Sequence, residues 1–165
     1  MIKPFYSWTT TEEQDKIQET INSARWAFGH GSTPQATGNF WHLIVDPSED
    51  FYYKHLLNKI KETTGDNLEI ERVYFNGHQN SSSGDIHRDH EAANARTFLI
   101  YCNTDWSPEH GGHTHFLNEG QIMSIPPVPY SAVYFNGTID HFAAPISPTY
   151  TGLRVTLAFK LFKKD

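Results

Sequence analysis

The sequence predicts a mainly β domain: a jelly roll, or double-stranded β-helix, with N-terminal helices packed on one of its sheets. Three observations carry this. Helical apolar spacing is confined to the first third, at least six short β-branched or aromatic runs punctuated by Gly, Pro, Asn and Asp fill the rest, and no repeat or long linker divides them. A length of 165 residues suits one domain over 1–165, with a helical part at 1–66 and the jelly-roll core at 67–162.

In chain order, Thr11-Glu12-Glu13-Gln14 fits a capping box, and Ile17 and Ile21 continue an amphipathic helix to about Ala24. Gly29, Gly31 and Pro34 then break the chain. A second helix is expected after Pro47-Ser48, because Phe51, Tyr52, His55, Leu56 and Ile60 fall at helical spacing and Gly65 supplies a stop. Strands are expected at Leu68 to Phe75, Thr97 to Asn103, His113 to Leu117, Gln121 to Ile125, Ala132 to Phe135 and Leu153 to Phe162.

Composition narrows the function. A hydrophobic fraction of 38% with 14% aromatic residues is too apolar for a disordered chain, and no run approaches a membrane span. The single Cys102 excludes an intrachain disulfide and any zinc site with two or more thiolates. The start Met-Ile-Lys-Pro has no secretory apolar stretch, so a cytoplasmic, reducing setting is expected. Thirteen Lys+Arg against 19 Asp+Glu, a net charge of −6, counts against a nucleic-acid partner bound through a basic face. Ten histidines beside one cysteine point to nitrogen and oxygen ligands, if a metal is bound.

The sharpest local feature is Gly84-Asp85-Ile86-His87-Arg88-Asp89. In an extended segment His87 and Asp89 project to the same side and can hold adjacent corners of one metal. His141, after the apolar strand Ala132 to Phe135, is the candidate third ligand. Two His and one carboxylate on one octahedral face leave three positions open, as in non-haem Fe(II) oxygenases. Further on, Arg154-Val155-Thr156 puts a guanidinium and a hydroxyl on one strand face, a pair able to clamp a carboxylate. The neighbours Leu153, Val155, Leu157 and Phe159 are apolar, so a buried Arg154 needs an anionic partner. Tyr101 can bring a phenol to the same carboxylate.

The ordered series resembles the iron(II)- and 2-oxoglutarate-dependent dioxygenases, in particular their prolyl 4-hydroxylase-like branch, over about Glu71 to Phe162. It comprises the strand Arg72 to Gly77, His87-x-Asp89, the strand ending Ile100-Tyr101-Cys102-Asn103 with Asp105-Trp106 after it, Gly111-Gly112-His113-Thr114, His141 and Arg154-x-Thr156. The resemblance implies that His87, Asp89 and His141 bind Fe(II) as the catalytic centre. It further implies that Arg154, Thr156 and Tyr101 bind the distal carboxylate of 2-oxoglutarate. O2 would be consumed, succinate and CO2 released, a prime substrate hydroxylated, and ascorbate used as reductant. A peptide, protein or small-molecule prime substrate fits, a peptidyl proline or other protein side chain first among them. Tyr74 and Asn76 stand where the family often places residues facing cosubstrate or substrate. Recognition is expected from the loops Asn76 to Gly84, Asn103 to Gly112 and Ala143 to Gly152, and from Gly29 to Gly38.

Two other readings remain open at this stage. His113-x-His115 with Glu119 resembles the first metal motif of a cupin, with His141 as its distal histidine, although no Pro-x-Gly precedes His141. A metal-free jelly-roll binding module would instead present Trp41, Trp106 and Tyr134 to a ligand, with its histidines as ordinary core or surface groups.

Overall fold

The computed structural model describes residues 1–23, 25–31 and 40–164. The first helix, α1 (Thr11–Ile21), begins one residue earlier than the sequence pattern suggested, because Thr10 rather than Thr11 is its N-cap. The Thr10 hydroxyl accepts from the Glu13 backbone N–H at 3.3 Å, and the Glu13 carboxylate accepts from the Thr10 N–H at 2.8 Å. The helix ends at Asn22, and the expected end at Ala24 lies outside the described residues. A π-helical stretch, Phe51–Leu56, runs directly into α2 (Leu57–Thr64), which stops where Gly65 takes the left-handed conformation at φ +73.

Among the described residues, ten strands follow the predicted pattern and add to it. β4 (Leu68–His78), β5 (Ala95–Tyr101), β6 (Thr114–Asn118), β7 (Gln121–Ile125), β8 (Ala132–Asn136) and β10 (Arg154–Lys163) correspond to the six expected runs. The first third also contributes β1 (Ile2–Phe5), β2 (Ala27–His30) and β3 (Phe40–Ile44), so residues 1–66 are not purely helical. A short β9 (Asp140–Ala143) was likewise not expected. The strands form a seven-stranded sheet in the order β1-β8-β5-β10-β4-β3-β2 and a three-stranded sheet in the order β7-β6-β9, antiparallel throughout. This is the jelly roll, with both helices on the outer face of the larger sheet. Pro4 sits in β1, an edge strand, where its missing N–H costs no ladder bond.

Alternation divides the side chains of the large sheet between two cores. Val155, Leu157, Phe159 and Leu161 of β10 join Phe75, Phe98 and Ile100 under Ile17, Tyr52, Leu56 and Ile60 of the helices. Tyr101, Phe116, Ile125, Val133, Phe135 and Ile139 fill the space between the sheets. No helix among the described residues is long and apolar enough to cross a membrane.

Glu13 ties the two helices together. Its carboxylate, 5% exposed, caps α1 and also receives His55 Nε2 at 2.8 Å and the Lys59 ammonium from the neighbouring helical segment. Burial would raise its pKa, but the bonds from Lys59, Thr10 and His55 lower it below the ordinary glutamate value. A depressed carboxylate adds stability above its unfolded pKa, and loses it as pH falls through the folded one. Glu13→Ala is therefore expected to cost about 1–3 kcal/mol at pH 7. Thermal melts should show the gap to wild type closing as the pH drops below roughly 4.

Candidate metal centre

The segment from Gly84 to His90 lies against β9 and forms no strand of its own. His87 and His141 exchange both backbone hydrogen bonds of one antiparallel pair, at 3.0 and 2.9 Å. Asp89 and His90 then donate their N–H groups to Gly137 O at 2.9 and 3.1 Å. These bonds place the two imidazole centroids 4.4 Å apart. One ligand atom from each of His87, Asp89 and His141 lies within 4.8 Å of the other two, the one such group of three or more found among the described residues.

Backbone carbonyls fix both tautomers. His87 Nδ1 bonds Asp85 O at 2.8 Å and His141 Nδ1 bonds Ile139 O at 2.9 Å, each carbonyl two residues back along the chain. A carbonyl only accepts, so each Nδ1 carries a proton, and Nε2 is the atom of each ring left to face a ligand. Those two Nε2 atoms lie 3.5 and 3.6 Å from the same oxygen, Asp89 Oδ1. Burial pushes the His141 pKa down to about 4, so this ring is neutral at pH 7.

The other carboxylate oxygen, Asp89 Oδ2, accepts from Thr97 Oγ1 at 2.6 Å and from the Lys160 ammonium. Burial would raise the Asp89 pKa, but Lys160 and the two histidines hold it well below the usual carboxylate range. With Oδ2 engaged, Oδ1 is left as a single-point ligand. Two imidazole nitrogens and one carboxylate oxygen, with no thiolate, make a donor set suited to Fe(II). Lys160 was missed in the sequence reading. Its signal was the two-residue period from Arg154, for Arg154, Thr156, Ala158 and Lys160 line one cavity while the apolar residues between them face the helices.

That cavity, about 940 Å³ in volume, joins the three donors to Arg154 and Thr156. Arg154 is 2% exposed; its Nε donates to Gly112 O at 2.6 Å and its Nη2 to Thr114 Oγ1 at 3.0 Å. Burial pulls its pKa down, and no carboxylate among the described residues pairs with it. The anionic partner that a buried arginine needs must therefore come from outside these residues. A Cβ on Gly112, where φ is +66, would meet Arg154 Cδ at 3.0 Å and the Trp106 ring at 3.1 Å, which explains the glycine. Tyr101 does not line the cavity; its hydroxyl donates to Thr114 Oγ1 at 2.8 Å and so acts on the guanidinium's partner. Tyr74 and Asn76 both line the cavity. Of the Gly29 to Gly38 segment, Gly29, His30 and Gly31 line it, and positions 32–38 lie outside the described residues.

The cupin cluster does not assemble. On β6, Thr114 and Phe116 point inward, and Phe116 pairs with His141; His115 pairs with Phe142 on the opposite face. Glu119 sits beyond them in the β6–β7 turn at φ +52. The aromatic residues of the binding-module reading are likewise dispersed. Tyr134 is buried with its hydroxyl on Asp66 at 2.7 Å, Trp106 packs on Tyr150 with centroids 4.9 Å apart, and Trp41 packs on Phe28 at 5.2 Å.

No family model and no curated protein matches the sequence. Solved structures do. A Pseudomonas putida prolyl-4-hydroxylase aligns over 99% of this chain and 92% of its own, at 15% identity and a TM-score of 0.74. A Trichoplax adhaerens prolyl hydroxylase, solved with a hypoxia inducible factor peptide fragment, aligns over 98% and 83%, at 14% identity and 0.77. The viral collagen prolyl hydroxylase of Paramecium Bursaria Chlorella virus-1, solved as its 2-oxoglutarate complex, aligns over 97% and 94%, at 15% identity and 0.67. The chain thus has, across nearly its whole length, the fold shared by these prolyl hydroxylases.

Proposed function

We propose that this protein is an Fe(II)- and 2-oxoglutarate-dependent dioxygenase that hydroxylates a peptidyl proline or another protein side chain, releasing succinate and CO2. The observation that carries the reading is one cavity with a three-donor set, His87, Asp89 and His141, beside a buried guanidinium that has no carboxylate of its own. His87, Asp89 and His141 hold the iron. Arg154 and Thr156 receive the distal carboxylate of the cosubstrate, with Tyr101 acting through Thr114. Bound Fe(II), together with 2-oxoglutarate and O2, supplies the oxidising chemistry, with ascorbate as a reductant that keeps the iron ferrous.

The chain's own part is to bind, orient and exclude water. Thr97 and Lys160 keep Asp89 turned so that one oxygen faces the two imidazoles. Phe135 and Phe116 pack on the His141 ring at 4.8 and 5.8 Å and shield it. Tyr74 and Asn76, one strand from Thr156, are placed to meet the substrate. A reducing cytoplasmic setting suits ferrous iron and the buried free thiol of Cys102.

Anaerobic addition of Fe(II) and 2-oxoglutarate is expected to give a weak visible charge-transfer band that neither gives alone. In air, succinate should form and rise with a peptide that is a substrate. Calorimetry that detected binding of neither Fe(II) nor 2-oxoglutarate would refute the reading.

A further inference from the structure

The cavity is cationic in a chain whose net charge is −6. Its lining holds Arg72, Arg88, Arg154 and Lys160 against one carboxylate, Asp89. Three of these charges are accounted for. Lys160 pairs with Asp89, and Arg88 pairs with Asp140 through Nε at 3.0 Å and Nη2 at 3.2 Å, and with Glu91 at 3.4 Å. Arg154 serves the cosubstrate. That leaves Arg72, an exposed residue at the cavity wall that forms no ion pair with any described residue.

The surroundings of Arg72 are those of a binding wall. Its guanidinium lies 5.6 Å from the centre of the Tyr74 ring, and its Cα pairs across the β4–β10 ladder with that of Lys160, the Asp89 partner. Beside it the His30 and His42 rings stack 4.0 Å apart at 17°, and Asn76 Oδ1 bonds His42 Nδ1 at 3.1 Å. Burial holds both imidazoles below their ordinary pKa, and the nearby Arg72 charge adds to this in each. Ile44, 70% exposed, lines the same wall. One unmatched unit charge among flat and apolar surfaces fits a monoanion with an apolar body, and the planar guanidinium fork matches a carboxylate.

We infer that the prime substrate carries a carboxylate that Arg72 receives at the cavity mouth, with its apolar part against Tyr74, Ile44 and the His30–His42 stack. This rests on the dioxygenase reading and names the substrate class of that same site. The carboxylate can belong to an acidic peptide or to a free organic acid, and Arg72 sets the preference for it over the uncharged amide.

The test is binding by protein loaded with Mn(II) and saturating 2-oxoglutarate, followed by broadening of probe resonances by the metal. Three carboxylate and amide pairs are compared: a Pro-Glu against a Pro-Gln peptide, both amidated at the C-terminus, N-acetylproline against N-acetylprolinamide, and benzoate against benzamide. In at least one pair the carboxylate is expected to bind tenfold or more tightly than its amide, and Arg72→Gln should bring that pair to parity. Preference in the peptide pair alone identifies an acidic peptide, and preference in the small pairs a free acid. Parity in all pairs for the wild type, or a preference that survives Arg72→Gln, overturns the inference. The charge-transfer band with Fe(II) and 2-oxoglutarate is expected to be unchanged in Arg72→Gln. Its absence from the wild type would sink the dioxygenase reading instead.

Discussion

Asp89→Ala is expected to abolish metal binding and turnover and, separately, to destabilise the metal-free protein. The first effect follows from losing one of three donors. The second follows from Lys160, which is 6% exposed and whose ammonium is held charged by Asp89 against the opposing pull of burial. Removing one partner of a buried pair strands the other, at a cost of about 3–5 kcal/mol. In a domain of this size that is a fall in Tm of roughly 10 °C or more. The double variant Asp89→Ala, Lys160→Met removes the stranded charge and should recover most of the stability and none of the metal binding. Calorimetric titration with Fe(II) and thermal melts of both variants check the two effects independently. Retention of most turnover by Asp89→Ala would remove it from the ligand set.

Arg154→Ala is expected to raise the apparent KM for 2-oxoglutarate by about 10- to 100-fold, the equivalent of one or two charge-assisted hydrogen bonds. Fe(II) affinity measured without cosubstrate should hardly change, because Arg154 bonds Gly112 and Thr114 and none of the three donors. Arg154→Lys keeps the charge but loses the planar fork, and should fall between. Steady-state kinetics in 2-oxoglutarate distinguish the three proteins. An unchanged KM in Arg154→Ala would move the carboxylate clamp elsewhere.

The three candidate donors and the Arg154–Thr156 pair were legible because their spacing has a geometric meaning that survives without coordinates. His87-x-Asp89 needs only that alternate residues share a side, and Arg154-x-Thr156 only that β10 is a strand. Lys160 was hidden by the same alternation. The apolar residues of β10 that pack under the helices made the whole strand read as core, when every second side chain faces the cavity. Three of the missed strands lack local signals. β2 is short, glycine-containing and wholly exposed, β1 contains a proline, and β9 has four residues, so each owes its conformation to a neighbouring strand rather than to its own sequence. The cupin motif failed for a reason that lies in register. Only the pairing of Phe116 with His141 shows that His115 lies on the other side of the sheet.

The mutual backbone bonds of His87 and His141 bear on what an arriving ion has to do. The two residues are 54 apart in the chain, and holding such a loop closed costs roughly 3.5 kcal/mol of chain entropy beyond a constant. Here the folded chain has already met that cost with its own peptide groups, and the carbonyls of Asp85 and Ile139 have already set the rings. The ion is not asked to act as a clasp. On the proposed reading, the energy of binding an ion would go into coordination rather than into gathering the chain, and the three donors would meet it already in place.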